Sequence, residues 1–184
     1  TPSARSGEEW RQFKFDSRHS GAVPERSVTT PLGLVAAIPL SDAVFTAPVV
    51  ADKMVYTVDG AGAAYAVNAN SLEVAWEYHP PGGPENCNCV SSPAIVGPYL
   101  HYGTTTGSYR VLDRRDGSLV AEIRCGGPIF TSPVVANGRA YFATLGARVF
   151  AVEPDGAVCW QWDLVEEVIG FEGLLIDCVR QQQA

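Results

Sequence analysis

The sequence has few basic residues and no long run of them. Its 184 residues include 13 Lys and Arg against 20 Asp and Glu, which gives a formal net charge of −7. Nucleic acids and anionic membrane surfaces bind proteins through clustered positive charge that displaces counterions. The charge balance therefore argues against both surfaces as targets, and we expect no nucleic-acid partner.

Long apolar runs are also missing. The longest runs, at 34–40 and 47–51, are far shorter than the roughly 20 residues that a helix needs to cross a bilayer. The hydrophobic fraction of 46% is nevertheless ordinary for a folded globular protein, which excludes disorder throughout the chain. We expect a packed core and no membrane span.

Three segments of the chain repeat, which is the observation that organises the sequence. Each segment starts with a small residue, a proline and a short apolar run, and then continues with a turn, a β-rich stretch and a closing glycine. The prolines are spaced by 45 and then 40 residues. They are Pro48, Pro93 and Pro133, and the closing glycines are Gly62, Gly107 and Gly146.

Each repeat also contains a third and a fourth strand-like stretch, separated by a turn rich in Asn, Asp and Gly. Four antiparallel strands in 40 to 45 residues are typical of one blade of a β-propeller. A β-sandwich also has many short strands, but it does not repeat them in a preserved register. The spacing therefore predicts about three propeller blades.

The repeated residues resemble the quinoprotein-type, or PQQ-like, propeller repeat, which has a small-Pro-Val-Val start, an aromatic-Ala-Val/Leu-Asp strand and a tryptophan. Trp76 and Trp160 occupy the tryptophan position, whereas the second repeat has Ala121 near it. The stretch 10–21 is similar to the lead-in before the first blade of such proteins. The resemblance implies an all-β fold. This fold is a partial propeller of about three four-stranded antiparallel blades, with a leading outer strand at 34–40.

This interpretation divides the chain into a lead-in at 1–33, a propeller region at 34–163 and a non-repeat tail at 164–184. A closed propeller needs roughly four to eight blades, so three blades leave the ring incomplete. We expect a second copy of the chain or a different polypeptide to complete the ring, unless the sequence is part of a longer protein. The three blades are predicted at 45–78, 90–124 and 130–163.

The longest loop, at 79–89, contains Cys87 and Cys89, two of five cysteines in the sequence. With only one residue between them, Cys87 and Cys89 do not easily form a disulfide with each other. Their candidate roles are therefore a soft-metal site or a disulfide to Cys125 in the neighbouring loop. His79 is a candidate additional ligand. A Cys-x-Cys pair lacks the second ligand pair of a zinc site. A disulfide, buried thiols, plain packing and a metal or redox site all stay open.

No catalytic residue is predicted. His101 lies in the middle of a strand, which favours a structural histidine, and His19 beside Ser20 has no placed carboxylate to complete a triad. The resemblance implies that quinone-dependent dehydrogenases of this repeat type hold a quinone and calcium, with an Asp base and two adjacent cysteines. Here Cys87 and Cys89 are not adjacent, and no motif identifies the base or the calcium ligands.

The sequence therefore favours a non-enzymatic scaffold for binding or assembly, exported to the periplasm or the extracellular space. Its expected partner is a protein, either a second copy or another chain. The alternative is a fragment or subunit of a quinone- or metal-dependent oxidoreductase, with quinone and calcium as cofactors.

Overall fold

The structure is a computed structural model that describes residues 9–81 and 89–169. It contains twelve strands in three antiparallel sheets of four, and each sheet follows the chain order from its first to its fourth strand. The predicted all-β partial propeller of three blades is therefore confirmed. Blade one consists of β1 (Val49–Ala51), β2 (Met54–Val58), β3 (Ala64–Asn68) and β4 (Val74–Tyr78). Blade two consists of β5 (Ala94–Val96), β6 (Tyr99–Gly103), β7 (Ser108–Asp113) and β8 (Leu119–Arg124). Blade three consists of β9 (Val134–Ala136), β10 (Arg139–Ala143), β11 (Arg148–Val152) and β12 (Val158–Asp163).

The first hairpin of every blade turns through two residues, and in two of the three blades both of these residues are left-handed. Asn137 and Gly138 have φ angles of 51° and 76°, and Asp52 and Lys53 have angles of 50° and 63°. Two consecutive left-handed residues match the right-handed twist of the flanking strands, and Asn-Gly adopts this turn at the least steric cost. Local turn chemistry therefore sets the register of these hairpins.

The turn before the third strand also needs a left-handed residue. Gly62 and Gly107 supply it with φ angles of 80° and 85°. In blade three the equivalent residue is Ala147 with a φ of 62°, and its N–H donates to the carbonyl of Thr144 at 3.1 Å. The expectation that Gly146 closes this hairpin is corrected, because the glycine lies one residue too early in the turn.

The leading outer strand predicted at 34–40 is not formed. This segment has no strand assignment, and Leu34 and Val35 are 88% and 83% exposed. A strand needs a hydrogen-bonding neighbour and an apolar face against which to pack. None of the three sheets pairs with this segment, and within it Ile38 and Leu40 are only partly buried.

Two apolar clusters fill the spaces between the blades. Blades one and two share a cluster that includes Tyr56, Trp76 and Leu100, and blades two and three share one that includes Tyr109 and Phe142. In the second cluster the rings of Tyr109 and Phe142 stack with centroids 3.8 Å apart. The core of this protein thus lies between neighbouring sheets, as propeller packing requires.

A short π-helical turn, Val165–Ile169, follows the last strand. Within residues 9–81 and 89–169, no helix has the length and apolar character to span a membrane.

Candidate binding site at the open side of the ring

The lead-in crosses the innermost strands of all three blades. Consecutive residues bind successive blades, which satisfies backbone groups on the free edges of β1, β5 and β9. The bonds are Trp10 N–H to Val50 O (2.7 Å), Val50 N–H to Trp10 O (2.8 Å), Ile95 N–H to Arg11 O (2.7 Å) and Val135 N–H to Gln12 Oε1 (2.8 Å).

A relay of hydroxyl groups links the starts of the inner strands. The residues just before the three repeated prolines are Ala47, Ser92 and Ser132. The N–H of Ala47 donates to Ser92 Oγ at 2.9 Å, and the N–H of Ser92 donates to Ser132 Oγ at 3.1 Å. Blades one and two therefore each give an N–H to a hydroxyl of the following blade.

A second repeated contact joins the fourth strand of one blade to a turn of the next. Trp76 of blade one donates its indole N–H to the carbonyl of Arg114 in blade two at 2.9 Å. The same ring covers Gly117, where an added Cβ would lie 2.6 Å from the Trp76 Cε3 atom. Gly117 also has a φ of 75°, so both space and backbone geometry favour glycine there.

Blade two makes the equivalent contact with blade three through different residues. Ala121 takes the tryptophan position and lies against Gly156, where an added Cβ would be 2.7 Å away. The lost indole donor is replaced by His101, whose Nε2 lies 2.8 Å from the carbonyl of Pro154. A carbonyl only accepts, so Nε2 carries the hydrogen and Nδ1 accepts from Tyr109 Oη at 3.3 Å.

Burial lowers the pKa of His101 to about 4, with smaller opposing effects from the Pro154 carbonyl and Asp155. The histidine is therefore neutral at pH 7 and holds two blades together. It has no position from which to act on a substrate, since its side chain is fully buried.

Blade three presents the same face with no blade against it in the described part of the chain. Trp160 is 46% exposed, compared with 9% for Trp76, and Trp162 is 40% exposed. The ring of Tyr141 lies 6.2 Å from that of Trp160, as the ring of Tyr56 lies 5.9 Å from that of Trp76. We call the surface formed by Val134, Tyr141, Val149, Trp160 and Trp162 the open face.

A cavity of about 800 Å³ extends from the open face toward the inner strands. Aromatic and aliphatic side chains dominate its lining, and hydroxyl groups of the inner-strand starts contribute the polar atoms. Its lining includes Phe13, Phe45, Thr131, Phe130, Tyr141 and Val149. Concave apolar surface of this size is typical of a binding site.

The cysteines and the histidine predicted from the sequence do not form one cluster in the described residues. Cys89 is buried between blades one and two and donates its S–H to the carbonyl of Gly103 at 3.1 Å. Cys125 is a buried thiol between blades two and three, and burial raises its pKa to about 11, which opposes the thiolate form that metals bind. His79 is exposed beside Glu77, and Cys87 lies outside the described residues. Disulfide or metal roles for these residues stay predictions.

A calcium ion would need several oxygen ligands in one place. Among residues 9–81 and 89–169, no three His, Cys, Asp or Glu side chains come together as metal ligands. The fully buried carboxylate of Asp59 already accepts from Ser41 Oγ at 2.7 Å, Tyr65 Oη at 2.9 Å and the N–H of Ala63 at 2.9 Å. These bonds hold a blade-one turn, and they leave no evident position for a cation.

The residues that join the blades were not predicted from the sequence, although their signal is present in the repeat. Aligning the residue before each proline gives Ala47, Ser92 and Ser132. Aligning the turn before each fourth strand gives Leu72, Gly117 and Gly156. The first blade differs from the others at both positions.

Comparison with known proteins agrees with the repeat pattern. The model of a family described as outer membrane protein assembly factor BamB matches residues 34–128. No curated protein sequence matches the chain significantly.

Solved structures share the fold at low sequence identity. BamB from Moraxella catarrhalis is 17% identical with a TM-score of 0.58 over 74% of this chain and 40% of that one. The quinohemoprotein alcohol dehydrogenase ADHIIG from Pseudomonas putida HK5 is 17% identical with a TM-score of 0.63, covering 84% and 26%. The quinohemoprotein alcohol dehydrogenase from Comamonas testosteroni is 17% identical with a TM-score of 0.62, covering 84% and 27%. The chain thus spans less than half the length of each.

Proposed function

We propose, from the premise that the chain belongs to the PQQ-like β-propeller repeat family, that it is a scaffold for protein binding or assembly. Its recognition surface is the open face together with the adjoining cavity, and its partner is a protein that completes the ring. The observation that carries this proposal is the exposure of Trp160 and Trp162 beside an apolar cavity of about 800 Å³. Aromatic side chains of this kind are enriched at the centres of protein interfaces.

A protein partner also agrees with the description of the matching family as an outer membrane protein assembly factor. The same description supports our proposal that the chain is exported to the periplasm or the extracellular space. Fusion of the full-length gene product to alkaline phosphatase tests export, because this reporter is active only where its disulfides form. Activity supports export, and an inactive but intact fusion contradicts it.

The second candidate is a fragment or subunit of a quinone- or metal-dependent oxidoreductase. The specific observation in its favour is that the two quinohemoprotein alcohol dehydrogenases cover 84% of the chain. We test it by titrating the full chain with pyrroloquinoline quinone and CaCl2 while following absorbance and thermal unfolding. A ligand that binds only the native state raises Tm as its concentration exceeds Kd. The scaffold proposal predicts no saturable change, and saturable binding supports the oxidoreductase.

Protein recognition is tested by placing a photo-crosslinking residue at position 162 of the full chain in the cells that encode it. The matched control places the same residue at position 120, on the exposed outer strand of blade two. The scaffold proposal predicts a discrete crosslinked protein from position 162 and a much weaker yield from position 120. Equal yields from both positions contradict recognition through the open face.

A further inference from the structure

We propose that the outer edge of β12 binds an extended segment of the partner protein as a fifth strand of blade three, with a basic residue of that segment beside the acidic end of β12. The inference rests on the proposed function and deepens it, because it identifies the backbone contacts and the charge of the partner. Three features of β12 support it: free backbone groups on the edge, the loss of a carboxylate that the other outer strands carry, and a charged hollow at the end of the strand.

β12 is the last strand of its sheet and pairs only with β11 in the described chain. In an antiparallel ladder, hydrogen-bonded pairs alternate with pairs whose N–H and C=O groups point away from each other. The N–H of Leu164 donates to the carbonyl of Ala147 at 3.1 Å, which makes this a hydrogen-bonded pair. By this alternation Trp162 and Trp160 also bond to β11. The N–H and C=O of Gln161 therefore lie on the outer edge, where an added strand can bind them.

The residue at this position differs among the three outer strands. It follows the tryptophan position and is Glu77 in β4, Glu122 in β8 and Gln161 in β12. A charged residue on an edge strand opposes the addition of another strand, because the added strand removes water from the charge. Of the three outer strands only β12 has a neutral residue here, and the stretch 158–162 carries no charge at all. Its edge therefore lacks the protection that the other two edges have.

β12 is also the most exposed of the three outer strands. All residues from Val158 to Trp162 are exposed, whereas β4 contains the buried Trp76 and half of β8 is partly buried. Trp160 and Trp162 lie on the open face, so an added strand would place its own alternate side chains beside them. Cross-strand pairs of an aromatic and a β-branched side chain stabilise a sheet, which favours Val, Ile or Thr at these positions of the partner segment.

A polar hollow of about 310 Å³ lies at the end of the same strand, and Gln161 is part of its lining together with three carboxylates. Arg148 lies 3.0 Å from Asp163 and compensates the charge of that carboxylate. Glu166 and Glu167 are exposed, and neither forms an ion pair within residues 9–81 and 89–169. A Lys or Arg of the partner segment is therefore favoured beside this end of β12.

The same charges disfavour a second copy of this chain as the occupant. If two β12 strands paired antiparallel, the residues beside the hollow would be those at the start of the other β12, where Asp155 adds a carboxylate and no cation. Each chain also has a net charge of −7, so two copies repel each other. A partner segment with basic flanks meets neither obstacle.

The first experiment titrates the full chain, in reducing buffer, with a capped peptide of alternating Thr and Val that has a Lys at each end. Amide hydrogen exchange is followed residue by residue. We expect exchange of the Gln161 N–H to slow several-fold at saturation, because this N–H acquires an acceptor. The N–H groups of Glu77 and Glu122 occupy the same place on the other outer edges and are the controls in the same sample, with no change expected.

Two control peptides separate the backbone contacts from the charge. In the first, every amide is N-methylated, which removes the donors that a fifth strand needs, and we expect it to leave exchange at Gln161 unchanged. In the second, Glu replaces both Lys residues, and we expect its binding to be several-fold weaker because it meets Glu166 and Glu167.

The second experiment repeats the titration with variants of the edge residue. Gln161→Pro removes the edge N–H and leaves the bonds to β11, which belong to Trp160 and Trp162. Gln161→Glu keeps the N–H and introduces the carboxylate of the other outer strands. We expect the first variant to abolish binding of the Lys peptide and the second to weaken it several-fold, whereas Gln161→Thr, a neutral control, should bind it like the parent chain.

Unchanged exchange at Gln161 with the Lys peptide would overturn the proposal, as would binding that Gln161→Pro and Gln161→Glu both leave intact. Slower exchange at Gln161 when the concentration of the parent chain alone is raised would assign the edge to a second copy and would also overturn it. The crosslink from position 162 tests protein recognition separately. A discrete crosslinked partner without protection of Gln161 would therefore reject the fifth strand and leave the scaffold function standing.

Discussion

Blade one and blade three carry almost the same face, but only in blade one is that face covered by a neighbouring blade, blade two. Tyr56 and Trp76 are 2% and 9% exposed against blade two, whereas Trp160 in blade three is 46% exposed. The strands, the bulge within strand four and the pairing of the aromatic rings are alike in both blades. The difference therefore lies in the neighbour and not in the blade, and it is the observation on which the proposed binding surface rests.

The largest expected effect is a difference in stability between variants that replace Trp76 and variants that replace Trp160. We expect Trp76→Ala to reduce the free energy of unfolding by about 3–5 kcal/mol, since it empties a packed interface and removes the bond to Arg114 O. Trp160→Ala should reduce it by about 1 kcal/mol or less because half of the side chain is already in solvent. Urea unfolding of the two variants measures the difference. Equal losses would mean that blade three is already covered.

The second expected effect is a pH dependence at the interface of blades two and three. The pKa of His101 is about 4 in the folded state, below its value of 6.5 in the unfolded chain. The unfolded state therefore binds more protons between these values, and stability is full above pH 6.5 and falls as the pH drops to 4. We expect a loss of about 3 kcal/mol over this window.

Urea unfolding at pH 7 and pH 4.5 checks this expectation, with His101→Gln as the control. The variant keeps a donor for the carbonyl of Pro154 but has no group that titrates in this range. Its stability should change less between the two pH values than that of the parent chain. An identical pH dependence would show that other groups cause the loss.

The third effect concerns the two equivalent turn residues. Gly117→Ala should destabilise the chain by about 2 kcal/mol, because the new Cβ meets Trp76 and the φ of 75° disfavours a side chain. Leu72→Gly should stabilise it by about 0.5–1 kcal/mol, since glycine relieves a left-handed leucine in a turn with no tryptophan against it. Thermal unfolding of both variants measures these changes. A Tm that shifts in the same direction in both variants would contradict the equivalence of the two turns.

The smallest effect tests the corrected hairpin of blade three. Ala147→Gly should raise the free energy of unfolding by about 0.5–1 kcal/mol because Ala147 has a φ of 62°, whereas Gly146→Ala should cost less than Gly62→Ala. Chemical unfolding of the three variants provides the measurement. A larger loss for Gly146→Ala than for Gly62→Ala would restore Gly146 as the closing residue.

The sequence predicted the blades well because each blade is a local unit. Its prolines, its turn residues and its alternating apolar strands are close in the chain, so their spacing determines the sheet. The leading strand at 34–40 was predicted wrongly because an apolar run alone does not supply the neighbouring edge that a strand needs. Ala147 was missed because a one-residue shift in a short turn changes which residue takes the left-handed conformation.

The candidate site was less predictable because it depends on contacts between blades. The lead-in resembled a family segment, but nothing in its residues indicated that Trp10, Arg11 and Gln12 would each bind a different blade. His101 was correctly interpreted as structural, whereas its role in replacing the missing tryptophan of blade two required the position of Pro154. Such pairings join residues far apart in sequence, and only their alignment by repeat position reveals them.

The most direct test of the account compares the solvent access of its two equivalent tryptophans. Two versions of the full chain, one retaining only Trp76 and one retaining only Trp160, are quenched with acrylamide in dilute, reducing solution. The account predicts a quenching constant several times larger for Trp160 than for Trp76, because blade two covers one indole and nothing in the described chain covers the other. Equal protection of both indoles would contradict an open face on blade three.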